Sequence, residues 1–172
     1  MTIHGDHPFL PPESERSPVR RFRGRLPSPV SLWTTQYAGK RAGLTVSSIL
    51  VADGEPGAVV GLIDPDSDLW ETLRQAKTAV VSLLDDRHRQ FADAFGYVAP
   101  APGGPFKLAD WTDTEWGPAP VGVTTWAGCR LVTEDPAEVG WSLQVQLEIA
   151  HVELTAEERP SLAHRRGRYY PV

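Results

Sequence analysis

The chain has 172 residues, enough for one domain with a real core, and only 41% of them are hydrophobic. Its formal charge of -5 argues against a general nucleic-acid-binding role. A single cysteine, Cys129, excludes an intrachain disulfide framework and a cysteine-based zinc site. The 16 prolines and 15 glycines point to many turns.

Residues 1 to about 17 read as a flexible tail, because Pro8, Pro11, Pro12 and Pro18 interrupt scattered charge with no period. His4, Asp6 and His7 within it are weak metal ligands on a segment without fixed geometry. Arg20, Arg21, Arg23 and Arg25 follow as a short basic patch, read as a solvated helix face or a contact for an acidic surface. No apolar run approaches membrane-spanning length, and the N-terminus lacks a signal-peptide core, so a cytoplasmic protein without membrane contact is expected.

Val30 to Thr35 is predicted as a strand, followed by a turn at Gly39 to Gly43 and a second strand from Leu44 to Ala52. Asp53-Gly54-Glu55-Pro56-Gly57 is a strong turn, and Ala58 to Ile63 is apolar and β-branched enough for a buried strand. Asp64-Pro65-Asp66-Ser67-Asp68 stops it. Leu69 to Ala76 reads as a short helix, with Asp68 and Glu71 at capping-box spacing. Thr78 to Leu84 is a further strand, and Asp85 or Asp86 caps a helix that runs to Phe95 and ends at Gly96 in a left-handed conformation. His88, among Asp85, Asp86, Arg87 and Arg89, reads as part of a solvated helix face.

Residues 97 to 118 are rich in Pro, Gly and Trp without a clear period, the mark of a lid, an arm or a binding loop. Trp111 and Trp116 within it could close over a flat substrate or anchor a second subunit. Val121 to Val132 is read as a strand, and Cys129 within it as a buried apolar residue. Trp141 to Leu154 is the longest strand, with Leu143, Val145, Leu147 and Ile149 alternating with Gln144, Gln146 and Glu148. His164-Arg165-Arg166-Gly167-Arg168-Tyr169-Tyr170 forms a basic and aromatic tail. About six strands with two short helices make the chain mainly β, a small closed or partly closed barrel with helices over its openings; periodicity does not separate this from a sandwich.

The segment Arg41-Ala42-Gly43-Leu44-Thr45-Val46-Ser47-Ser48 is the most informative one. Alternation puts Thr45 and Ser47 on one strand face and Val46 and Ser48 on the other. Hydroxyls and backbone N–H groups at a strand end suit a flat heteroaromatic ligand rich in acceptors; they equally suit a water-facing edge strand.

The ordered set Pro29-Val30-Ser31-Leu32-Trp33-Thr34-Thr35, Gly43 to Ser48, Val59 to Asp64, Thr78 to Leu84, Phe91 to Phe95 and His164 to Tyr169 resembles the flavin reductase-like, FMN-binding split-barrel family over roughly residues 18 to 170. The resemblance implies a homodimeric split β-barrel that holds FMN, with FAD as the alternative. It also implies oxidation of NADH or NADPH and supply of reduced flavin to a monooxygenase partner. Residue by residue, it implies that Thr45, Ser47 and Ser48 hydrogen-bond the flavin, with the backbone around Val46 at the ring edge. Trp33 and Thr34 fall near the ring, Asp64 and Ser67 near the phosphate, and His164 and Arg166 approach from the tail. A flavin carries the hydride itself, so the lack of a catalytic triad or a Gly-rich phosphate loop is no argument against an enzyme.

Two departures stand out. Where relatives often have a basic residue near the phosphate, this chain has Asp66-Ser67-Asp68, and Arg41, Arg74 or Arg166 would have to supply the charge. Where relatives often have a histidine opening the last long strand, this chain has Trp141 and Ser142. The alternative expectation is therefore a non-catalytic flavin- or cofactor-binding protein on the same scaffold, or a reductase with a different donor such as a deazaflavin.

Overall fold

The computed structural model describes residues 13–155 and 159–172, so residues 1–12 of the expected tail lie outside the described residues. A short 3-10 turn, Glu13–Glu15, leads into helix α1 (Pro18–Arg25), capped by the Ser17 hydroxyl, which accepts from Arg20 N at 3.3 Å. Pro18 at its first position suits a helix start, and α1 buries none of its residues.

The strands are β1 (Ser28–Pro29), β2 (Ser31–Tyr37), β3 (Lys40–Val46), β4 (Ile49–Ala52) and β5 (Ala58–Ile63). Helix α2 (Asp68–Ala76) follows, then β6 (Thr78–Leu83) and helix α3 (Arg89–Phe95). The second half holds β7 (Trp111–Thr114), β8 (Gly117–Pro120), β9 (Trp126–Leu131), β10 (Glu138–Val139), β11 (Ser142–Glu153), β12 (Leu162–Arg165) and β13 (Arg168–Pro171). The main sheet is antiparallel, in the order β3-β2-β6-β9-β11-β5-β4, with β10 folded back on β11. β1, β12 and β13 form a small second sheet, and β7 and β8 a separate hairpin.

The main sheet curls until its two halves meet. Trp33, from β2, is fully buried and crosses the interior to Gly61 on β5, where a Cβ would stand only 2.8 Å from the indole. The indole Nε1 donates to Ser31 Oγ at 3.1 Å, and that hydroxyl donates to Val46 O at 2.6 Å. Every polar atom of this enclosed trio therefore has a partner, as burial demands. Around it pack Val46, Ile63, Val145 and Leu147 from the sheet and Leu69, Trp70 and Leu73 from α2. β11 shows the expected alternation, with Leu143, Val145 and Leu147 buried and Gln144 and Gln146 exposed, until a bulge between Ile149 and His151 breaks it.

A second core, of Val30, Leu32, Leu84, Phe95 and Leu162, lies between the main sheet and the small one. Phe95 sits on Gly43, where a Cβ would come within 2.8 Å of the ring. Phe106 and Trp111 meet Phe95 edge-on, and Trp111 Nε1 donates to Phe106 O at 2.8 Å. Residues 97–118 are therefore a packed cover rather than a bare loop: they contain the 3-10 turn Pro105–Leu108, β7 and the start of β8.

The structure corrects several expectations. It contains thirteen strands among the described residues, not about six: one expected strand divides into β3 and β4, and six short strands, β1, β7, β8, β10, β12 and β13, form in segments that carry no strand period. The turn expected at Gly39 to Gly43 is confined to Ala38 and Gly39, both at positive φ, and β3 starts at Lys40. The strand expected from Leu44 to Ala52 breaks at Ser47-Ser48. Helix α2 is capped by Ser67, whose hydroxyl accepts from Trp70 N at 3.2 Å, not by Asp68. Gly96 is right-handed, and the positive φ falls one residue later, on Tyr97. β9 begins at Trp126 rather than Val121. His88 is buried, and its ring completes a capping box with Asp85.

Substituting Gly61→Ala should cost about 1–3 kcal/mol in chemical denaturation, because the added methyl overpacks the Trp33 indole. Gly24→Ala, with open space around it in α1, should be neutral or stabilising by up to about 1 kcal/mol. Equal effects of the two would refute the Trp33–Gly61 contact.

Candidate functional site

The sheet register gathers most of the expected site residues at one end of the barrel. Ser31, which opens β2, pairs with Val46, which closes β3. Leu62 N donates to Ser48 O at 3.0 Å, which extends the β4–β5 ladder one step past the Ile49–Gly61 pair. Leu143 pairs with Ile63, so Ser142 and Trp141 come beside Asp64 at the same end. Adjacent strands stand about 5 Å apart, so Ser48 and Gln144, on either side of Leu62, are about 10 Å from each other.

The hydroxyls at this end differ in how they are used. Thr45 Oγ1 donates to Ala92 O at 2.8 Å and ties β3 to α3. Ser47 and Ser48 sit half-buried at the break between β3 and β4, and their hydroxyls have no partner among the described residues. The break changes the expected alternation: Val46 points into the core, and both serines lie at the surface corner. Trp33 and Thr34 are fully enclosed, and Thr34 Oγ1 donates to Pro118 O at 2.6 Å. They form the floor of the barrel end and present no open surface there.

Asp64 and Ser67 shape the turn into α2. Asp64 Oδ1 accepts from Asp66 N at 2.9 Å, and Ser67 Oγ donates to Asp64 O at 2.7 Å while it caps the helix. Asp66, Asp68 and Glu71 surround this turn, and Lys40 Nζ lies 3.3 Å from Asp68 and 3.2 Å from Glu71. The local field at this turn is therefore acidic apart from one lysine already in ion pairs.

The tail enters from the other side. β12 pairs with β1, which places His164 opposite Ser28. The His164 ring meets Tyr169 edge-on at 5.3 Å, and Tyr169 Oη donates to Asp93 Oδ1 at 2.9 Å. Asp93 follows Ala92, the acceptor for Thr45, so tail, α3 and β3 form one connected group. Burial, and then the Asp93 hydrogen bond, push the Tyr169 hydroxyl well above its ordinary range. Burial first, and the nearby Arg23 charge second, hold His164 below its ordinary 6.5. Arg166 occupies the β12–β13 turn at positive φ, and its N–H donates to Gly24 O at 2.8 Å.

Trp141, 95% exposed, stands on a tight hairpin whose Gly140 has a positive φ. The other tryptophans of interest lie elsewhere. Trp116 stacks on His151 at 5.0 Å and seats on Gly128, and Trp126 flanks the same histidine. They lie near a cleft of about 630 Å³ between the β4–β5 turn and residues 149–152, at the opposite end of the strands from Ser47 and Ser48. That cleft carries Asp53, Glu55 and His151 but none of the residues expected to meet a flavin. Cys129 is fully buried, and burial pushes its thiol up to about 12, which leaves it inert. Among the described residues, no cluster of three metal-ligating side chains occurs, and no helix is long and apolar enough to cross a membrane.

The flavin reductase like domain family matches residues 23–172, and the chain belongs to this family. It is 26% identical over 100 residues to the FMN reductase (NADH) RutF of Serratia proteamaculans, an alignment that covers 58% of this chain and 57% of that protein. The chain thus spans little more than half the length of this curated relative. Its fold matches the NADH:FAD oxidoreductase SgcE6 of Streptomyces globisporus C-1027 with a TM-score of 0.79 at 21% identity, covering 95% of this chain and 96% of that one. A nitrilotriacetate monooxygenase component B homologue from Mycobacterium thermoresistibile superposes with the same score at 21% identity, covering 90% of this chain and 84% of the other. The mainly β, curled-sheet architecture with short helices is therefore that of the flavin reductase structures.

Because His164 and His88 both titrate below 6.5 when folded, the unfolded chain takes up protons first as pH falls. Their contribution to stability is complete above about 6.5 and is lost as pH drops below it toward the folded values. In an NMR titration the His164 midpoint should lie below the ordinary value and rise in Arg23→Gln. A midpoint that ignores Arg23 would contradict the placement of α1 beside the tail.

Proposed function

We propose that the chain is an NAD(P)H-dependent flavin reductase that takes FMN, with FAD as the alternative, at the barrel end marked by Ser47 and Ser48. The observation that carries this reading is the pair of unpartnered serine hydroxyls at a strand break, in a chain of this family. Two free hydroxyls, each both donor and acceptor, beside strand-end backbone groups are a donor set suited to the edge of a flavin. Thr45 supports them from below through its bond to Ala92, and Trp33 and Thr34 hold the floor. Asp64 and Ser67 shape one rim of the site, and His164 and Arg166 the other.

A bound flavin supplies the hydride-accepting chemistry. The chain's own work is to bind and orient the ring and to leave one of its faces open to the donor. Val46, buried beneath the serines, fixes their backbone through the Ser31 bond. Neutral His164, kept from protonation by burial and Arg23, adds no positive charge of its own to the rim.

A homodimer fits the same reading. The edge strand β4 exposes Leu50 and Val51, which a second subunit would cover. Passage of reduced flavin to a monooxygenase component fits too, as does a cytoplasmic setting where reduced nicotinamides are present. A second reading, binding without turnover of a nicotinamide, is favoured by one observation: Ser142 and Trp141, neither of them an acid–base group, stand beside Asp64 at this barrel end.

Purified protein should bind FMN with a shifted visible spectrum and bleach anaerobically on addition of NADH or NADPH. Binding without bleaching by either donor would favour the second reading, and no binding of FMN or FAD would overturn both. Ser47→Ala/Ser48→Ala should weaken FMN by roughly tenfold or more, since each loses about 1 kcal/mol of hydrogen bonding. Sedimentation should show a dimer; a flavin-loaded monomer would contradict the two-subunit arrangement.

A further inference from the structure

Helix α1 has little support from its own chain. None of its residues is buried, and its eight residues fall short of the roughly 12–15 that an isolated helix needs in water. Arg166 N donates to Gly24 O at 2.8 Å, and Arg165 Nε to Arg25 O at 3.1 Å, so the tail hairpin fixes where its C-terminal end lies. Both bonds reach backbone carbonyls of α1 and leave its side chains uncovered. At roughly 3.6 residues per turn, Val19, Phe22 and the capping Leu26 form one stripe, with Arg23 on one flank and Arg25 on the other. Val19 is 77% exposed, Phe22 69% and Leu26 51%. A helix normally buries such a stripe, and here it faces water.

The cleft between the β4–β5 turn and residues 149–152 has the opposite character. Val51 pairs with Val59 across β4 and β5 and shares its face. Val59 is buried while Val51 is 65% exposed, so the inner side of the sheet stays open at this end. Half-buried Ile149 and exposed Val152 continue the apolar lining. Asp53 and Glu55 also line the cleft, and Glu153 lies 3.4 Å from His151 beside it. Among the described residues, no Lys or Arg lines it, and no residue of α1 does. One chain therefore carries an apolar stripe flanked by guanidinium groups and, elsewhere, an apolar opening of about 630 Å³ bordered by carboxylates.

We propose that α1 of one subunit seats in this cleft of a second copy, with Phe22 against Val51 and Ile149 and with Arg23 and Arg25 facing Asp53 and Glu55. The inference rests on the homodimer reading above and deepens it, since it names the element that covers Val51 on the edge strand β4. Each copy carries both halves of the contact. A two-fold axis therefore makes it twice and closes the pair, as an isologous interface requires. Apolar burial supplies the affinity, and the opposed charges set the register. Docking also covers the face of α1 that its own chain leaves bare, so helix stability and association are linked. A lipid surface fits less well, because anionic headgroups repel a chain of formal charge -5.

Sedimentation velocity of the full chain, without flavin, tests the contact. The wild type should be a dimer, and Phe22→Ser should weaken it by roughly tenfold or more. Phe22 is exposed in the single subunit, so its replacement leaves the folded protomer intact. Arg23→Glu/Arg25→Glu and Asp53→Lys/Glu55→Lys should each dissociate the pair, and the two reversals combined should restore it. Arg89→Glu, an exposed cation on α3, should change nothing. A dimer indifferent to Phe22→Ser and to both reversals would overturn the α1 contact and leave the homodimer reading in place. Reversals that each dissociate the pair but fail to restore it together would overturn the pairing of helix with cleft. A monomeric wild type would overturn both readings; if it also floats with phosphatidylglycerol vesicles while Phe22→Ser does not, α1 belongs to a lipid surface. Flavin binding, followed separately by visible absorption, decides the flavin reading independently of all these outcomes.

Discussion

The Trp33 indole resting on Gly61 is the contact on which the rest of the structure depends. β2 and β5 stand far apart in the sheet order, so only a long side chain across the interior can join them. Its fit requires a residue without a Cβ on the far strand. The same indole anchors Ser31, and Ser31 anchors the carbonyl of Val46, the last residue before the two serines. The two serine hydroxyls at this end of the barrel thus sit next to a backbone position held by the most buried ring.

The same device recurs at two other places. Phe95 lies on Gly43, and Trp116 on Gly128, so aromatic rings are seated on strand glycines at three points of one sheet. The first holds α3 against β3 and thereby places the Thr45–Ala92 bond. The second builds the Trp116–His151–Trp126 stack at the far end of the strands. A twisted sheet that must close without a large core gains from such contacts, because each joins an element to the sheet at close range with a large buried area.

Strands marked by an apolar, β-branched run or by clean alternation were legible in the sequence: Val30 to Thr35 and Ala58 to Ile63 by the first and Trp141 to Leu154 by the second match β2, β5 and β11 to within a residue at each end, save that β2 runs on to Tyr37. The break at Ser47-Ser48 was not, because two serines carry no steric signal that a strand stops and turns. The packing of residues 97–118 was hidden for a different reason. Its order comes from Phe95, outside the segment, which no local pattern reveals. His88 misled because charged neighbours in sequence point outward while the ring itself turns in to cap its own helix start. The serines were legible as candidates, but the use of Thr45 as a strut to α3 was set by a partner 47 residues away.

The central claim is the location of the ligand site at the Ser47–Ser48 end of the barrel. Backbone chemical-shift mapping of the protein titrated with FMN tests it most directly. The account predicts that shifts concentrate at Thr45 to Ser48, Asp64, Ser142 and His164. Shifts concentrated instead at Asp53 to Gly57 and Ile149 to Val152, around the cleft at the other end, would contradict it.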